Sequence, residues 1–198
     1  MIRAFLFDYG GVMTNGGKGN ELQARFAANL SIPVYEAARL IAEPWAAFSS
    51  GKIDEATFWS DVESSYGAPI PENERDIWNQ WDTMKILPEM KSLVLRLKAT
   101  GYTVGLVSNT IPPTATVIRA HGGYEVFDFS ILSFEVGYVK PQVEIYNIAL
   151  SNLGDITPEE VVFIDDQERC LEPARILGMQ TMLVEDPMIT VKELELLL

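Results

Sequence analysis

The sequence predicts an α/β fold: a parallel sheet with helices on both faces and a helical subdomain inserted into it. Three observations lead there. Short, nearly continuous apolar runs alternate with helix-type segments, which favours parallel strands covered on both faces over a bundle or a sandwich. Residues 16–83 break that alternation with four helix-type segments and hold all four tryptophans, Trp45, Trp59, Trp78 and Trp81. The 198 residues, 47% of them apolar, suffice for one compact domain with a smaller one inserted.

The first strand is expected at residues 3–7, ending on Asp8. Further apolar runs lie at 102–107 before Ser108-Asn109, at 161–164 before Asp165-Asp166 and at 180–184 before Glu185-Asp186. A weaker run at 129–134 adds another strand, so five or six are expected. Between them, residues 88–100 open with Pro-Glu, a favourable first turn, and stop at Gly101. Helices at 142–153 and 168–177 stop in the same way at Gly154 and Gly178. Within the insertion, helical spacing covers 21–30, 34–42, 55–66 and 73–81, with Pro33, Pro44, Gly51 and Pro69/Pro71 as breaks. There is no internal repeat and no low-complexity segment.

The net charge of −13, from 15 basic and 28 acidic residues, repels nucleic acid and anionic lipid, and no Lys/Arg cluster offsets it. No nucleic-acid or membrane partner is therefore expected. A small anionic substrate is still allowed, because at physiological salt charges beyond about 8 Å are largely screened. No apolar run approaches the roughly 18 residues that cross a bilayer. The N-terminus is too soon charged to be a signal peptide. Cys170 is the only cysteine, so no internal disulfide can form and a reducing cytoplasm is the expected compartment. Oligomeric state is not readable.

Three polar clusters end predicted strands at the carboxyl edge of the sheet, where open α/β folds bind ligands. Taken singly, an Asp ending a strand is most often a turn or cap residue. Ser108-Asn109-Thr110 reads equally as a cap for a helix starting near Pro112. Asp165-Asp166 says more, because two adjacent carboxylates at the end of a buried strand call for a cation or a shared proton. Lys140, before Pro141, reads by itself as a solvated loop lysine. His121 sits at a helix end, where a cation suits the dipole, and Cys170 is a helix residue. Glu185-Asp186 is a solvated turn, and Gly10-Gly11 lacks the spacing of a phosphate-binding glycine loop. The tryptophans suit the core of the insertion as well as a substrate wall, with Trp45 and Phe48 as cleft-lining candidates.

The order of these clusters carries more than any one of them. Phe5-Leu6-Phe7-Asp8-Tyr9-Gly10-Gly11-Val12, then Ser108-Asn109, then Val139-Lys140-Pro141, then Phe163-Ile164-Asp165-Asp166, resembles the four-motif signature of haloacid dehalogenase-like hydrolases. Residues 161–184 are similar to the phosphatase-type N-terminal domain of soluble epoxide hydrolases, and residues 49–59 to the helical cap of that subfamily. The resemblance implies a Rossmann-like core at 1–15 and 84–198 with a helical cap at 16–83. It implies a phosphatase acting on a small phosphorylated metabolite, with Asp8 as the nucleophile that forms an aspartyl-phosphate intermediate. Mg²⁺ would be held by the Asp8 side chain, the Gly10 carbonyl and Asp166, with Asp165 acting through a water. Ser108 and backbone N–H groups near Asn109 would bind phosphoryl oxygens, and Lys140 would neutralise the developing charge.

One position departs from the pattern. Most phosphatases of this group carry a second Asp two residues after the nucleophile as general acid, and here that position is Gly10. General acid–base help typically gives about 10²–10⁴-fold, roughly 3–5 kcal/mol of barrier. Glu43, Glu55 and Tyr9 are candidates to replace it. Two other readings stay open. A metal-independent dehalogenase needs no acid, but its pattern has an aromatic two residues after the nucleophile, whereas Tyr9 is one after. A non-catalytic module binding a phosphorylated ligand or a protein would not require Asp8, Lys140 and Asp166 together.

Overall fold

The computed structural model describes residues 1–16, 21–78 and 81–195. Five strands, β1 (Ala4–Phe7), β2 (Thr103–Ser108), β3 (Phe129–Leu132), β4 (Val161–Asp165) and β5 (Gln180–Leu183), form one sheet in the order β3-β2-β1-β4-β5. Every pairing is parallel, with Ala4 opposite Thr103 on one side and Val161 on the other. The strand order turns back at β1, which places a crevice outside the carboxyl ends of β1, β2 and β4.

The alternation of side chains along each strand builds two cores. Phe5 and Phe7 of β1 join Val104, Leu106, Val162 and Ile164 on one face. That face is covered by α6 (Pro88–Ala99), α7 (Pro112–Ala120) and α11 (Pro187–Glu195). Ala4 and Leu6 point the other way, with Val107, Ile131 and Phe163, against α9 (Val143–Ser151) and α10 (Glu168–Ile176). Burial on both faces explains why these strands read as continuous apolar runs. Full burial of one such Phe or Leu contributes about 1.5–3 kcal/mol. The predicted stops hold: Gly101, Gly154 and Gly178 all have positive φ.

Between β1 and α6 the chain forms α1 (Glu21–Leu30), α2 (Val34–Ser49), α3 (Glu55–Tyr66), α4 (Glu72–Arg75) and α5 (Trp81–Met84). These helices gather a third apolar cluster around Phe26, Leu40, Phe48, Phe58, Trp59 and Trp78, joined by Ile111 from the β2–α7 connection. The outgoing and returning segments touch where the Gly16 N–H donates to the Thr83 carbonyl (3.0 Å).

Three sequence expectations are corrected. Pro44 does not end a helix, because α2 runs through it to Ser49 with Pro44 itself buried. A proline inside a helix loses one hydrogen bond, and here apolar burial outweighs that loss. The segment 73–81 is not one helix. α4 ends at Arg75, the next residue Asp76 leaves the helical region with a ψ of 72°, and Ile77 and Trp78 are both buried although adjacent. Residues 79 and 80 lie outside the described residues. The weak strand at 129–134 stops at Leu132, and α8 (Ser133–Val136) follows at once. Among the described residues, no helix is long and apolar enough to cross a membrane.

Candidate active site

The crevice is a cleft whose core side is lined by Asp8, Gly10, Ser108, Asn109 and Lys140, brought together from three separate segments. Asp8 follows β1, Ser108 ends β2, and Lys140 precedes α9. Lys140 is buried and donates from Nζ to Asp8 Oδ1 (2.8 Å) and Asp165 Oδ2 (2.6 Å). It is thus not the solvated loop lysine that its local sequence suggested. Asp165, with no exposed surface, also accepts the Gln167 N–H at Oδ1 (2.8 Å) just before α10. Both of its oxygens are therefore engaged within the protein.

Carboxylate oxygens of Asp8, Asp165 and Asp166 lie within 4.8 Å of one another. Gly11 has φ +74°, and a Cβ there would stand 2.4 Å from Asp166 Oδ2. Only glycine fits both that backbone and that approach. Three carboxylates facing one ammonium leave two negative charges in a mostly buried cluster. Burial raises the Asp8 carboxyl above its usual range, with Lys140 pulling the other way and Asp165 adding to the rise. Burial would lower Lys140, but Asp8 and Asp165 outweigh it and hold the ammonium above its usual range. The cluster is still short of positive charge, and its donors are hard oxygens, so a divalent cation fits it. Lys140 already supplies part of the compensation that the adjacent carboxylates seemed, from sequence, to need from a cation or a shared proton.

Asn109 has a use that sequence reasoning missed. Its Nδ2 donates to the Lys140 carbonyl (2.9 Å) and its Oδ1 accepts the Lys140 N–H (2.7 Å). The side chain thereby fixes the backbone that carries the lysine. Nor do Ser108, Asn109 and Thr110 cap the next helix, because Ile111 is the N-cap of α7 and makes no side-chain bond.

Ser133 was also missed. It is fully buried, accepts the Thr110 N–H (2.9 Å), and shares its hydroxyl proton between the carbonyls of Ser49 (2.6 Å) and Thr110 (3.0 Å). One hydroxyl thus ties the end of α2 to the loop after β2. Gly51 packs beside it with φ +67°, where a Cβ would meet the Phe134 carbonyl oxygen at 2.1 Å. Ser133 directly follows β3 at the same sheet edge where Ser108 ends β2.

The opposite wall comes from the inserted helices: Glu21, Leu22 and Gln23 from the first turn of α1, and Trp45 from α2. Arg169 lies at the rim and holds Gln167 Oε1 through Nε (3.0 Å) and Nη2 (2.8 Å). Phe48 is fully buried in the aromatic cluster of the insertion instead of lining the cleft. Of the suggested proton donors, Glu43 does not line the cleft. Glu55 accepts from Trp59 Nε1 (3.3 Å) and Trp78 Nε1 (2.6 Å). Tyr9 lines it, but its hydroxyl donates to the Met84 carbonyl (3.0 Å), and burial raises its pKa further. His121 caps the end of α7 away from the cleft. Cys170 does reach the cleft lining but is almost wholly buried, and burial, reinforced by Asp165, raises its thiol to about 11.

Comparison with known proteins identifies the family. The family model for haloacid dehalogenase-like hydrolases matches residues 2–178. Mouse bifunctional epoxide hydrolase 2 is 32% identical over 172 residues, which cover 77% of this chain but only 30% of that protein. A sesquiterpene phosphatase of Aspergillus oryzae is 26% identical over 98% of this chain and 95% of its own length. Among solved structures, a family enzyme of Bacteroides thetaiotaomicron in complex with magnesium and inorganic phosphate superposes with a TM-score of 0.75. It is 25% identical, over 93% of this chain and 95% of that one. With the parallel sheet, the strand-end clusters and a family match over most of its length, this chain belongs to the haloacid dehalogenase-like hydrolases.

Proposed function

We propose that the chain is a magnesium-dependent phosphatase that hydrolyses a small phosphorylated metabolite through Asp8. The observation that carries this reading is the Lys140 ammonium 2.8 Å from Asp8 Oδ1, inside a three-carboxylate cluster at the floor of the cleft. A carboxylate is a weak nucleophile, so it needs its target placed in line and the charge of that target neutralised. Asp8 attacks phosphorus, the ester P–O bond breaks, and the alcohol leaves with its electron pair and collects a proton. Water then attacks the aspartyl phosphate, releasing inorganic phosphate and restoring the carboxylate. Lys140 balances charge through both steps, while the Ser108 hydroxyl and the Asn109 backbone N–H hold the phosphoryl oxygens. Asp8, the Gly10 carbonyl and Asp166 would hold Mg²⁺, with Asp165 steadying the site through Lys140 and Gln167. When bound, the ion supplies neutralising charge and orients the phosphoryl group. The inserted helices, residues 16–83, act as the cap that closes on the substrate.

The vacancy at Gly10 shapes the chemistry. With Tyr9 and Glu55 committed elsewhere, the leaving alcohol takes its proton from water. Aryl and acyl phosphates then turn over well, and simple alkyl phosphates lag by up to about 10²–10⁴-fold. The test is phosphate release from a panel of monoesters spanning leaving-group pKa, with and without Mg²⁺. Metal-dependent release that rises steeply as leaving-group pKa falls is the expected result. No release from any ester would exclude the phosphatase reading, and a flat dependence with chemistry rate-limiting would exclude the missing acid.

A further inference from the structure

The two walls of the cleft differ in how their polar atoms are used. On the core side, Asp8, Asn109 and Lys140 are all bonded within the protein. On the insertion side, Gln23 lines the cleft, and its Oε1 is buried without a hydrogen-bond partner among the described residues. Buried side-chain oxygens are rarely left unmatched, because the water they give up is costly to forgo. An amide oxygen only accepts, so its complement is an O–H or N–H group. Leu22 and Trp45 on the same wall offer apolar surface to a carbon frame.

We propose that Gln23 is a specificity-determining residue that accepts a hydrogen bond from a hydroxyl group on the alcohol portion of the substrate. The preferred substrate is thus a phosphate monoester of a hydroxylated alcohol, not of a plain alkyl or carboxylated one. Arg169 is the feature that would favour a carboxylate, but it is exposed and two of its nitrogens already hold Gln167. This inference rests on the phosphatase reading above, and its test separates the two.

The full chain with Mg²⁺ is assayed on ethyl, propyl and butyl phosphates, on their ω-hydroxy analogues and on p-nitrophenyl phosphate as a reference. At least one hydroxylated member should exceed its alkyl partner in kcat/KM by about tenfold, or ~1.4 kcal/mol. In Gln23→Leu and Gln23→Met that ratio should fall to within twofold. A flat ratio in the parent, or one that survives both substitutions, overturns the role of Gln23 while p-nitrophenyl phosphate turnover keeps the phosphatase reading intact. No turnover of any ester, p-nitrophenyl phosphate included, overturns that reading and this inference with it.

Discussion

Glu55 and Asp165 each accept from two nitrogen donors, and the contrast between them separates the candidate site from the scaffold. Glu55 takes both indole N–H groups of Trp59 and Trp78 at one oxygen, at the exposed edge of the aromatic cluster in the insertion. Its donors are neutral and solvent supports its charge. Asp165 takes the Lys140 ammonium and the Gln167 N–H with no exposed surface, and two more carboxylates stand beside it. The first arrangement is complete. The second carries more negative charge than its own lysine can balance, which a bound cation would offset.

The largest expected difference lies in removing the central cation. Lys140→Ala leaves buried carboxylates uncompensated and should cost about 3–5 kcal/mol of stability, with phosphate release lost. Urea denaturation measures it, and a loss below about 1 kcal/mol, the range of an exposed ion pair, would erase the contrast. Next comes ligand linkage. Mg²⁺ at about 100 times its dissociation constant should stabilise the parent by about 2.7 kcal/mol, and Asp166→Ala should abolish that gain. A thermal shift with Mg²⁺ that is unchanged in Asp166→Ala would place the ion elsewhere.

The Asp165 side of this contrast was legible in the sequence, the Glu55 side was not, and the reasons are physical. β1, β2 and β4 were readable because burial on both faces removes most polar residues from them. Asp8 and Asp166 stood out because each follows the end of a strand, whereas Lys140, in the loop between α8 and α9, stood out only through the motif order of the family resemblance. Ser133 and the side-chain use of Asn109 were not, since a buried hydroxyl or amide bonding to backbone leaves no spacing pattern. Pro44 misled because local propensity cannot register the burial that carries α2 through it. Gln23 was invisible for a related reason: in sequence it is one polar residue in an amphipathic helix, and only the folded cleft shows its oxygen without a partner.

Smaller effects sharpen the same comparison. Ser133→Ala strands the Thr110 N–H and the Ser49 carbonyl, at a cost of about 1–3 kcal/mol. Because it joins the insertion to the loop after β2, its KM should rise more than its kcat falls, and Ser133→Thr should recover part of both. Equal stability in Ser133→Ala and the parent would remove it as a tie between the two regions. Glu55→Gln keeps an acceptor for the indoles and should cost about 1 kcal/mol or less, with turnover unchanged. A hundredfold loss of turnover in that variant would instead make Glu55 part of the chemistry.

The central claim is that Asp8 forms the covalent bond, and the most direct measurement is phosphate release by Asp8→Asn with saturating Mg²⁺. The amide keeps the shape of the side chain and removes one negative charge from an overcharged cluster, so the variant should unfold at a urea concentration no lower than the parent. It should release no phosphate above background from the best aryl substrate. Activity within tenfold of the parent, in protein shown to be folded, would contradict the account, because an amide cannot form the aspartyl phosphate.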